Sequence, residues 1–265
     1  MKYFKYGQSE DSVSTVILGL MRTADMGKDA LKGLCETALE TGINFFDTAD
    51  CYADGRAESL LGDVFQENPS LRDKIFLQSK CGIRSENGMT WYDFSRDYIV
   101  SAAEASLSRL KTDHLDSLLL HRPDALMEPE EIAEAFTTLH KSGKVRNFGF
   151  SNCNPMMLEY LSKKLPFKIC ANQVQFSVCH TPMLDAGFQV NMKWDGSVMR
   201  DGGILEYCRM NDIAIQAWST MQYGFFEGVY LNNDRFPKLN EVLYRIAGEK
   251  GVSAAAVALA WILRY

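Results

Sequence analysis

The sequence predicts an α/β protein built on a parallel sheet, of the (β/α)8 barrel type. Short apolar runs alternate with amphipathic helical patterns seven times along the 265 residues, and parallel neighbours need such crossovers. No Gly-x-Gly-x-x-Gly turn follows any run, which weakens the doubly wound sheet that the same alternation also fits. Six consecutive runs end in polar or aromatic residues, as a barrel demands, because its functional groups sit at the C-terminal ends of its strands.

In chain order, a β-like segment (Lys2 to Tyr6) precedes a first strand, Val16 to Gly19. Leu31, Leu34, Cys35, Ala38 and Leu39 recur at helical spacing before Gly42, which closes the helix. The second strand is Ile43 to Asp47, and Leu60, Leu61, Val64 and Phe65 mark a short helix. A third strand runs from Ile75 to Ser79. Ser95 then caps a helix carrying Ile99, Ala103, Leu107 and Leu110. Ser117 to Leu120 is the fourth strand, and Pro129 opens the next helix. Val145 to Phe150 is the fifth, followed by an Asn154-Pro155 cap and a helix through Leu165. Ala171 to Phe176 is the sixth. Residues 178–202, with His180, Pro182, Gly187, Trp194 and Gly196, break the strand–helix rhythm and read as a long loop, and long loops in compact domains are usually functional or disordered. A helix from Ile204 to Met210, a seventh strand from Ile213 to Trp218 and two helices, Pro237 to Glu249 and Ser253 to Leu263, complete the series. Nothing in the composition divides residues 1–265, so a single barrel domain is expected.

A net charge of -6 argues against nucleic acid or an anionic membrane surface as partner. No apolar run reaches the roughly 18 residues that span a bilayer. The N-terminus lacks the apolar core of a signal peptide, and seven scattered cysteines fit reduced thiols, so a cytoplasmic protein is expected.

Asp47, Lys80, His121, Ser151 with Asn152, Gln173, and Trp218 with Ser219 are the groups at the ends of strands two to seven. Each has a plain structural explanation: a helix cap for Asp47, a solvated Lys80, a core histidine, turn chemistry at Asn152, a polar strand face at Gln173, a core Trp218. Their joint occurrence points to a functional site. Tyr52 follows Asp47 by five residues and adds a phenol. A metal site on Asp47 and His121 lacks a third ligand at a sensible spacing, and no metal is expected.

The stretch Asn44 to Tyr52 resembles the strand-two signature of the aldo-keto reductases. Leu118 to Pro123, Val145 to Asn152, Asn172 to Gln175 and Ala217 to Ser219 resemble that family's later blocks in order. The loop with Met192-Lys193 and Arg200-Asp201-Gly202-Gly203 resembles a bacterial, oxidoreductase-like branch. The resemblance implies an NAD(P)H-dependent reduction of an aldehyde or ketone to an alcohol. Tyr52 would be the general acid, its pKa lowered by Lys80, which Asp47 holds; His121 would orient the carbonyl oxygen. Ser151, Asn152 and Gln173 would bind the nicotinamide carboxamide and Trp218 would stack on the ring. Ser219 and Met221 would lie at the pyrophosphate, and Met21 and Arg22 would border nicotinamide and pocket. Trp91, Tyr92 and Trp194 would roof the substrate. Cys51 and Cys81 flank Tyr52 and Lys80; a thiol near a lysine can be oxidant-sensitive, but buried inert cysteines are the favoured reading.

Measured against the family pattern, the eighth strand, the last helix and the segment that grips the adenosine 2′-phosphate are expected to be missing. NADP(H) is the expected cofactor with NAD(H) as the alternative, dinucleotide binding is expected to be weak, and the open barrel edge invites oligomerisation. The resemblance leaves a second reading open, since the family includes cofactor-binding subunits of potassium channels. A Schiff-base aldolase at Lys80 fits poorly, because Asp47 favours the charged amine.

Overall fold

All seven predicted strands of the main sheet are present in a computed structural model, which describes residues 1–7 and 11–264. The chain divides into two compact units, Met1–Cys153 with Met157–Asn172, and Asn154–Met156 with Gln173–Tyr265.

In the first unit β1 (Tyr3–Lys5) pairs antiparallel with β2 (Ser12–Ser14), facing Phe4 to Val13. Then come β3 (Ile17–Gly19), α1 (Lys28–Glu40), β4 (Phe45–Asp47), α2 (Arg56–Glu67), the single turn α3 (Pro69–Arg72) and β5 (Phe76–Cys81). The hairpin β6 (Ile83–Glu86) and β7 (Met89–Tyr92) follows, with α4 (Arg96–Leu110), β8 (Leu115–Leu120), α5 (Pro129–Lys141), β9 (Val145–Ser151), α6 (Pro155–Ser162) and β10 (Ile169–Gln175). Strand order is β10-β9-β8-β5-β4-β3. The pairs β3–β4, β4–β5, β5–β8 and β8–β9 are parallel.

These strands read as apolar runs because both faces are covered; every residue of β4, β5 and β8 is buried. Tyr6, Phe45 and Phe76 meet edge to face, and the Tyr6 hydroxyl spends its polarity on Gln78 and Ser117 at 3.0 and 3.1 Å. Gly62 lets α2 lie directly on α4: a Cβ there would stand 2.0 Å from the carbonyl oxygen of Arg109. At the start of the sheet the buried Arg72 ties α3 to β8 through Asp116 at 3.0 Å.

The second unit holds residues 173–175 of β10 and their neighbour β11 (Ala214–Trp218). Its helices are α7 (Pro182–Phe188), α8 (Ile204–Met210), α9 (Pro237–Lys250) and α10 (Ala254–Ile262). Tyr230, Leu243, Ala247, Ala254 and Ala258 form its buried cluster. Ser253 caps α10 as expected, its hydroxyl accepting from the Ala256 amide at 3.1 Å.

Two local expectations are corrected. The stretch 178–202 is not all loop, since α7 and a 3-10 turn at Asp195–Ser197 lie within it; α7 is too short for a periodic signal. The helix after Pro155 stops at Ser162. Trp91 and Tyr92 sit on β7, for which the Asn87-Gly88 turn with both φ positive was the available hairpin signal. No helix among the described residues is long and apolar enough to cross a membrane.

Candidate active site

β4 delivers Asp47 at its last residue, and the chain then turns tightly enough to bring Tyr52 back over the strand ends. The Tyr52 amide bonds the Ala49 carbonyl at 3.2 Å, and Ala53, Asp54 and Gly55 all take left-handed backbone before α2 begins. Lys80 comes from β5 and is fully buried. Its ammonium has three protons and three acceptors: Asp47 Oδ2 at 2.7 Å, the Thr48 carbonyl at 2.7 Å and the Tyr52 hydroxyl oxygen at 3.0 Å. Gln78 donates to the other Asp47 oxygen at 2.7 Å. Because the Tyr52 oxygen accepts from Lys80, the phenol's own proton points elsewhere.

The electrostatics follow from burial. Desolvation lowers the Lys80 pKa, but Asp47 and Tyr52 outweigh it, and the amine stays charged. Burial raises the Tyr52 phenol, Lys80 pulls it back down, and the balance stays above the ordinary value. The expected lowering of Tyr52 is therefore corrected: Lys80 opposes desolvation without overcoming it. His121 is held well below its ordinary pKa by burial, then by Lys80 and Arg122, so its ring is neutral. Its ring meets that of Tyr52 edge to face at 5.9 Å between centroids. Burial pushes the Cys51 thiol up to about 12 and Cys81 well up. This agrees with the reading of inert cysteines and removes the basis for oxidant sensitivity, because thiols rather than thiolates flank the site.

Ser151 and Asn152 end β9 beside His121. Asn152, at φ 59, donates to the His121 carbonyl at 3.1 Å and to the Ser151 hydroxyl at 2.9 Å. Met21 and Arg22 lie exposed in the turn after β3. Trp91 stacks on the Arg84 guanidinium at 5.1 Å, and Tyr92 is exposed. In the second unit Gln173 donates to Gln216 at 2.8 Å, and Trp218 meets Phe225 edge to face at 6.1 Å. Ser219 takes left-handed backbone, and Met221 Sδ accepts from Tyr230 at 3.4 Å. Trp194 is exposed. The first unit thus gathers Asp47, Tyr52, Lys80 and His121, with Ser151 and Asn152 alongside.

Two residues of this neighbourhood escaped the sequence reading. Gln78 breaks the apolar run of β5, and that break was a signal. Asp50 gave none. Burial, then the nearby Glu58, pushes its carboxyl up to about 7. Tyr98 donates to it at 3.3 Å, and its Oδ1 has no hydrogen-bond partner.

Chemically, a protonated phenol wired to a buried ammonium beside a neutral imidazole can hand a proton to an oxygen that gains negative charge. On a parallel strand–helix alternation, such a proton donor is what a carbonyl-reducing α/β oxidoreductase requires. The chain belongs to the Aldo/keto reductase family, whose pattern it matches over residues 15–265. It is 37% identical over 258 residues to "Oxidoreductase YdhF" of Escherichia coli (strain K12), covering 95% of this chain and 80% of that protein. A "6-dehydroglucose reductase" of Agrobacterium fabrum is 33% identical over 263 residues, 96% of this chain and 81% of its own length. Among solved structures, the thermostable aldo-keto reductase Tm1743 in complex with the inhibitor epalrestat superposes with a TM-score of 0.76 at 25% identity, covering 100% of this chain and 86% of that one. The fold is accordingly that of the (β/α)8 reductases, with seven parallel strands among the described residues.

Proposed function

We propose that the protein reduces an aldehyde or ketone to the alcohol with a nicotinamide dinucleotide, Tyr52 acting as general acid. The observation that carries this reading is the threefold coordination of the Lys80 ammonium by Asp47, Thr48 and the Tyr52 oxygen. It holds the phenol in place, leaves its proton available and stabilises the phenolate that remains once the proton is given up. The neutral His121 donates a hydrogen bond to the carbonyl oxygen and orients it. General acid assistance of this kind contributes roughly 10²–10⁴ in rate.

The donor set fits the cofactor. A carboxamide needs an acceptor for its N–H and a donor for its C=O, and the Ser151 hydroxyl and Asn152 amide at the end of β9 offer both kinds of group. A bound reduced nicotinamide would supply the hydride. Gln173, Trp218, Ser219, Met221, Met21 and Arg22 are proposed cofactor contacts, and Trp91, Tyr92 and Trp194 substrate contacts, on the family pattern. NADP(H) is the proposed form. A sugar-derived carbonyl heads the list of substrates, given the reductase of 6-dehydroglucose among the relatives.

The test is oxidation of NADPH and of NADH, followed by absorbance, with a panel of sugar carbonyls, dicarbonyls, aldehydes and quinones. Turnover of at least one carbonyl, faster with NADPH, is expected. No turnover of any panel member with either dinucleotide would sink the proposal.

A further inference from the structure

His121 is neutral, so its ring carries one proton, and the hydrogen bond to a carbonyl oxygen needs that proton on a particular nitrogen. The backbone of His121 is held firmly: its amide donates to the Cys81 carbonyl at 2.8 Å, and its carbonyl accepts from Asn152 at 3.1 Å. Those bonds leave the choice of ring nitrogen open. The three protons of the Lys80 ammonium are all committed elsewhere. Beside the ring lies a thiol: Cys51 Sγ is 3.6 Å from His121 Nδ1.

We propose that Cys51 is a positioning residue whose S–H donates to Nδ1 of His121, fixing the tautomer that carries its proton on Nε2 and presents it to the substrate oxygen. Two arrangements fit the distance, S–H to Nδ1 or Nδ1–H to sulfur. A thioether or thiol sulfur is a weak acceptor, whereas the bare imidazole nitrogen is a good one, so the first is favoured. Burial keeps Cys51 protonated, which supplies the donor. Neighbouring groups commonly set a histidine tautomer by bonding the ring nitrogen that does not act. Here a residue adjacent to the general acid does so for its partner, across 70 positions of sequence.

The inference rests on the reading of His121 as the group that orients the carbonyl. Its test is therefore read first on the protein alone. Ring nitrogen shifts of His121 are measured by long-range ¹⁵N–¹H correlation in the ¹⁵N-histidine-labelled protein. The 265 residues contain four histidines, and His121 is assigned with His121→Gln. Wild type and Cys51→Ser, which keeps a donor, are expected to show Nδ1 bare and Nε2 protonated. Cys51→Val, of similar size without a donor, is expected to show a mixture of tautomers, a shift of roughly fivefold in their ratio, as loss of one hydrogen bond gives. Carbonyl reduction in Cys51→Val should fall by a similar factor and recover in Cys51→Ser. A protonated Nδ1 in wild type overturns the proposal, as does an unchanged tautomer in Cys51→Val; the first outcome needs no variant to fold. If no carbonyl is turned over at all, the functional reading fails, while the tautomer measurement still decides the role of Cys51.

Discussion

Replacing Asp50 by Asn should make the protein more stable at alkaline pH and should change little in acid. The carboxyl lies among buried groups, one oxygen bonded by Tyr98 at 3.3 Å and the other without a partner. Its pKa rises from 3.8 to about 7, through desolvation first and Glu58 second. The folded state therefore binds this proton more tightly than the unfolded chain does. Between about pH 4 and 7 the native form holds more protons, so stability falls as pH rises, and the cost is complete above about pH 8. At about 1.4 kcal/mol for each tenfold change in proton affinity, the ceiling is about 4 kcal/mol. Asn carries no charge to desolvate and escapes that cost. The assay is urea unfolding of wild type and Asp50→Asn at a series of pH values from 4 to 9. The difference between the two proteins should grow in favour of Asn by about 2–4 kcal/mol across that range. A difference that stays constant with pH would refute the assignment of a proton to Asp50 in the folded state.

Other perturbations have defined outcomes. Lys80→Met leaves Asp47 buried without its cation, so urea unfolding should show a loss of about 3–5 kcal/mol. Asp47→Asn with Lys80→Met should recover part of that stability in the same assay, but not turnover. Gly62→Ala forces α2 off the backbone of α4, since its Cβ would lie 2.0 Å from the Arg109 oxygen. A fall in stability of about 1–3 kcal/mol or more is expected in thermal unfolding. Because burial holds the Tyr52 phenol above its ordinary pKa, carbonyl reduction should hold from neutral to alkaline pH and fall only as the phenol ionises. Oxidation of the alcohol, which needs the phenolate, should rise with pH over the same range, as paired pH–rate profiles would show.

Much of this was legible in the chain. The apolar runs that become β4, β5 and β8 are buried on both faces, which is why they stand out, and why a charged residue at their ends is conspicuous. Asp47, Lys80 and His121 were found that way, and Tyr52 by its place five residues after Asp47. The structure brings Asp47, Tyr52 and Lys80 into direct contact and sets His121 beside Tyr52. Burial was not legible, and it reverses the expected direction at Tyr52 and silences the thiols of Cys51 and Cys81. The bond from Cys51 to His121 depends on how β4 and β8 are placed, and no local pattern encodes it. Asp50 looked like one more polar turn residue. The strand β2, three residues of Ser-Val-Ser, offered too short a period to notice; its identity comes from its antiparallel pairing with β1.

The central claim is that the Tyr52 phenol, held by Lys80, delivers the proton. The direct measurement is kcat for carbonyl reduction in wild type and Tyr52→Phe, with dinucleotide affinity measured by fluorescence in both. The account predicts a fall of roughly 10²–10⁴ in kcat with affinity for the dinucleotide unchanged. A Tyr52→Phe protein that binds dinucleotide normally and keeps kcat within about threefold of wild type, far short of that range, would contradict it.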